Sequence, residues 1–89
     1  LKNKKEFLIM KRIFAETEDY NVVLFVDDND KAFVIEETAF DTDLTLEAAK
    51  SADYANLDGC KTAEDCYNCQ GCGYTIDYNE NDFVNVTEF

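Results

Sequence analysis

Three observations predict an α+β fold. Short apolar runs rich in β-branched and aromatic residues alternate with acidic, Asn-bearing turns as far as residue 37. A helical pattern follows after Phe40, and strand-like alternation returns after Gly73. Strands, then one helix, then strands again describe segregated elements rather than alternating βαβ units.

The first strand is read over 7–15, FLIMKRIFA, with Lys11 and Arg12 interrupting its apolar content. Glu16-Thr17-Glu18-Asp19 is a polar turn. The strongest strand signal is 20–26, YNVVLFV, an almost continuous run of Val, Leu and Phe that belongs in the middle of a sheet. Asp27-Asp28-Asn29-Asp30-Lys31 supplies turn chemistry, because Asp and Asn side chains bond nearby backbone and tolerate left-handed dihedrals. The partner strand is 32–37, AFVIEE, so the three runs are expected to form an antiparallel meander.

A helix is expected over 45–55. Thr45 is its N-cap and Glu47 stands near its positive end. Leu46, Ala49, Tyr54 and Leu57 approximate one apolar stripe, and Gly59 offers a left-handed stop. A Cys-rich knuckle is placed at 60–73, and 74–78 with 83–88 are paired as a C-terminal hairpin about the turn Asn79-Glu80-Asn81-Asp82. Residues 10–89 are taken as a single small domain. For residues 1–9 the expectation is a leader or a disordered start. Lys4-Lys5-Glu6 can be encoded as a ribosome-binding purine tract, with Phe7-Leu8-Ile9 as spacer before Met10.

A chain of 89 residues buries only about 60–65% of the surface its unfolded form exposes, so a covalent or metal staple is useful. The composition is nonetheless that of a folded protein, with 46% hydrophobic residues and seven Phe and five Tyr to fill the core.

Twenty acids oppose eight bases, for a net charge of −12. Five of the bases precede Ile13, and from there on Lys31, Lys50 and Lys61 face nineteen acids. Such a surface repels nucleic-acid backbones and anionic membranes and attracts a basic protein surface. Direct nucleic-acid and membrane binding are therefore not expected. No apolar stretch approaches the roughly 20 residues of a membrane span, and no signal-peptide core is present, which points to the cytoplasm. The absence of His, the acidity and a vocabulary of Lys, Asn, Ile, Phe, Tyr, Asp and Glu point to a bacterial or phage source.

All four cysteines lie within CKTAEDCYNCQGC, and their spacing carries the site argument. Cys69-Gln70-Gly71-Cys72-Gly73 has the C-x-x-C-G form of a zinc knuckle, in which two thiolates reach one tetrahedral ion. Cys66 lies three residues earlier and Cys60 completes four ligands. Thr62-Ala63-Glu64-Asp65 is a helix start that would put Cys66 and Cys69 on one turn. The metal-site residues are thus Cys60, Cys66, Cys69 and Cys72, with zinc as the expected ion. The sequential C-x5-C-x2-C-x2-C arrangement departs from paired C-x-x-C units, so disulfides, packed free thiols and an iron–sulfur cluster remain rivals. Redox catalysis is disfavoured, because a reactive thiolate wants basic neighbours and around these cysteines stand Asp58, Glu64, Asp65 and Asp77, with Lys61 as the only base.

Two weaker patterns complete the inventory. Asp77 to Glu88 matches the spacing of a calcium loop through Asp77, Asn79, Asn81 and Glu88, but lacks its glycine and flanking helices. The 27–30 acids lack a closing carboxylate and read as a solvated turn. With no His, the chain has no imidazole for acid–base catalysis, and no enzyme is expected. The composition supports a small acidic protein-binding module. The alternatives are an acidic nucleic-acid-mimicking inhibitor and a Cys-based redox or iron–sulfur carrier.

Overall fold

The computed structural model describes residues 10–35, 44–57, 59–70 and 73–89. Five strands form one sheet: β1 (Lys11–Glu16), β2 (Asn21–Val26), β3 (Lys31–Ile35), β4 (Tyr74–Asp77) and β5 (Asn85–Glu88). Among the described residues, two α-helices, α1 (Leu46–Ser51) and α2 (Ala63–Gln70), lie between β3 and β4. The α+β class is therefore correct. Residues 1–9, read as a leader, and residues 36 and 37 of the third strand lie outside the described residues.

The meander β1-β2-β3 forms as the sequence implies. Thr17 closes its first turn, its Oγ1 accepting from the amides of Asp19 and Tyr20. Residues 27–30 close the second, where Asp30 takes φ 57°. The first strand starts at Lys11, and β2 is the middle strand of order β4-β3-β2-β1-β5. Its central place explains its composition, since Val22 to Val26 are buried on both faces.

The expected C-terminal hairpin is not formed. β4 pairs with β3, in register Lys31↔Asp77 to Val34↔Tyr74, while β5 pairs with β1, in register Ile13↔Glu88 to Glu16↔Asn85. Each is antiparallel to its neighbour, so β4 and β5 point the same way on opposite edges of the sheet. Residues 78–84 must then cross from one edge and end to the other. This strap is pinned where the Tyr78 amide donates to Asp30 O at 2.7 Å and the Val84 amide donates to Glu16 O at 2.8 Å.

The physical reason lies in the second face of the sheet. Ile13, Ala15, Val22, Leu24, Val26, Ala32 and Val34 form an apolar layer there. A local hairpin would leave it wet. The strap instead lays Tyr78 and Phe83 against it, with ring centroids 6.3 Å apart and nearly parallel, and Ile76 and Val86 pack at the margins.

The helices cover the other face. Phe14, Val23, Phe25, Phe33 and Ile35 pack against Leu44, Ala49, Tyr54, Leu57, Cys60, Ala63 and Cys66. Thr45 caps α1 as expected, its Oγ1 accepting from the Ala48 amide. The helix is shorter than the expected 45–55 and ends at Ser51, with Ala52 already extended. Two local bonds account for the stop. Asp53 accepts from the Ala55 amide, and the Tyr54 hydroxyl donates back to Ala49 O at 2.8 Å. That turn sends the Tyr54 ring edge-on to Phe25 at 5.1 Å, with the Arg12 guanidinium 5.4 Å from its centroid.

Candidate functional site

The cysteine stretch does become a site. Thr62 starts α2, its Oγ1 accepting from the Asp65 amide, and the helix carries Cys66 and Cys69 three residues apart, on one turn as the spacing implied. Cys60 sits in the segment before it, held where its amide donates to Leu57 O at 3.1 Å. Cys60 and Cys66 are buried in the helix-side core, and Cys69 is exposed.

Three thiols are thereby brought together. The Cys60 thiol donates to Cys69 Sγ at 3.8 Å, and Cys60 and Cys66 interact directly. The Cys66 thiol donates in turn to Met10 Sδ at 3.6 Å. The three thiols are unbridged, and the 3.8 Å between Cys60 and Cys69 is far beyond the ~2.05 Å of a disulfide. Cys72 lies outside the described residues. Among the described residues, no group of three or more His, Cys, Asp or Glu side chains is placed so that those residues alone could hold a metal ion.

Burial pushes the Cys66 thiol up to about 12, helped by Cys60, Cys69 and Asp65. The Cys60 thiol is also raised, first by burial and then by its bond to Cys69. A thiol raised in this way stays protonated at neutral pH and is a poor nucleophile. It gives up its proton readily only when a cation takes its place.

A second feature escaped the sequence reading. Asp27 is buried at 8% exposure and is the sole polar residue so placed among those described. Its Oδ1 accepts from the amides of Asn29 and Lys31, at 2.9 and 3.0 Å, and its Oδ2 accepts from the Ala63 amide at 2.9 Å. Burial raises its pKa, but these three donors and the Lys31 charge outweigh it and hold the carboxyl below its ordinary value. The first acid of the turn is therefore a tie between the β2–β3 hairpin and the first turn of α2. Its position directly after a buried strand was the available signal. Beside it opens a groove of about 500 Å³, bordered by Asn29, Lys31, Glu64, Tyr67 and Thr75.

The calcium-loop pattern does not assemble. Asp77 ends β4 in an ion pair with Lys31, Asn79 accepts from the Asn81 amide, and Glu88 stands on the opposite edge of the sheet. Among the described residues, no helix is long and apolar enough to cross a membrane. No protein-family model, curated protein or solved structure matches this chain.

Proposed function

We propose that the chain is a small, acidic, non-catalytic module that docks on a basic protein surface. In this reading a thiophilic metal ion on Cys60, Cys66, Cys69 and Cys72 holds it in shape, and zinc is the ion their spacing suggests. The observation that carries the reading is the 3.8 Å separation of Cys60 Sγ and Cys69 Sγ. Two sulfurs bound to one tetrahedral ion at about 2.3 Å stand about 3.8 Å apart. The raised thiols fit a structural ligand better than a redox catalyst. A reducing compartment such as the cytoplasm would keep them available. The docking half of the reading rests on the net charge of −12.

Elemental analysis of the purified protein, with thiol titration beside it, tests the metal half. One metal per chain, with thiols silent until a chelator is added, is the expected result. Freely reacting thiols and no metal would overturn it, and two permanently silent pairs would replace the ion with disulfides. Visible absorbance would identify an iron–sulfur carrier instead. Affinity capture tests docking: a basic partner should be recovered and released by salt. If that partner is a DNA- or RNA-binding enzyme, the acidic surface acts by mimicry. Partners insensitive to salt would refute docking through charge.

A further inference from the structure

Met10 stands 56 residues from Cys66 in sequence, yet its Sδ lies 3.6 Å from the Cys66 sulfur and its side chain packs half-buried on the same core. The sulfurs of Met10, Cys66, Cys60 and Cys69 thus run as a contiguous string from the edge of the helix-side core to its exposed rim. We propose that Met10 Sδ is a ligand of the thiol site and makes it a site for a soft monovalent cation, copper(I), in preference to zinc. This rests on the metal reading above and changes its ion.

Three features favour the softer ion. The donor set is sulfur only, because the chain has no His, and Asp65 is already engaged by the Lys61 amide. Thioethers bind copper(I) well and divalent zinc poorly. Charge points the same way. Zinc held by four thiolates leaves two negative charges on a cluster whose Cys60 and Cys66 are buried, in a chain already at −12. Copper(I) held by two thiolates and a neutral thioether leaves one, and the smaller buried charge is the cheaper to desolvate. The separations of 3.6 Å for Met10–Cys66 and 3.8 Å for Cys60–Cys69 are each of the size that two sulfurs on one ion take.

The test titrates the reduced, metal-free protein and its Met10→Leu variant anaerobically with copper(I), in competition with a chromophoric copper(I) chelator. A parallel titration uses zinc. The wild type should take one copper(I) per chain. The variant should lose about tenfold or more in copper(I) affinity while its zinc affinity holds. Equal copper(I) affinity in both proteins would remove Met10 from the site, and intact zinc binding would then leave the metal reading standing. No stoichiometric binding of either metal by the wild type would refute both. A second measurement does not depend on the variant folding. Met10 is the only methionine, so selenomethionine labels that atom alone. The selenium absorption edge of the copper(I)-loaded protein should register copper at bonding distance, and its absence there would overturn the proposal.

Discussion

At Gly73 the chain enters β4 with φ +86°, and an added Cβ would stand 2.6 Å from Val34 O and 2.9 Å from the Phe33 ring. Gly59 has the same φ but nothing within 4 Å of the added atom. The two glycines therefore separate backbone strain from close approach. Gly59→Ala should cost about 1–2 kcal/mol, the strain of a left-handed alanine alone. Gly73→Ala should cost about 3–5 kcal/mol, because Phe33 is fully buried and Val34 O belongs to the sheet, so neither can give way. Urea unfolding of the two variants checks the difference, and equal losses would refute it. The glycine at 73 was legible in the sequence, but only as the tail of C-x-x-C-G. Its closest contacts are to β3, and no local pattern announces a partner that far away in sequence.

Between elements, Asp27 is what joins the β2–β3 turn to α2. Asp27→Ala should destabilise by about 2–4 kcal/mol, since three amides lose their acceptor at once. The pH dependence follows from the lowered carboxyl. Its stabilisation is complete above the unfolded value of 3.8 and is lost as the pH falls through the lower folded value. Asp27→Asn cannot ionise, so its stability gap to the wild type should be wide at neutral pH and narrow at about pH 3. Urea midpoints at the two pH values measure this, and a gap that stays constant would count against it. Elements whose signals are local were legible: the meander, the Thr45 cap and the helix start at Thr62. The destinations of β4 and β5 were not. Both read correctly as strands, but nothing in YTID or NVTE says that the two edges of the meander compete for them more strongly than they compete for each other. The same holds for the sulfur cluster, where spacing found the cysteines and only the fold could bring in Met10.

For the molecule as a whole, charge opposes compaction. A net charge of −12 on so small a chain repels itself, and the described ion pair, Lys31 with Asp77, is exposed and offsets little. Raising the salt from about 20 to about 500 mM should therefore stabilise the fold, by on the order of 1 kcal/mol. Urea midpoints at the two salt levels test this, and a fall with salt would mean that attractive pairs dominate. The strap has a different bearing, on the order in which the fold can be made. The meander needs only neighbouring segments, but the Glu16–Asn85 contact joins residues 69 apart. Closing so long a loop is slow compared with forming adjacent hairpins. Until residues 78–84 are laid down, β1 keeps an open edge and one apolar face of the sheet stays wet. The half-made protein is then a two-faced ribbon, able to pair edge to edge with another copy of itself. Sealing that edge with the fifth strand to emerge makes the strap the step that separates folding from self-association.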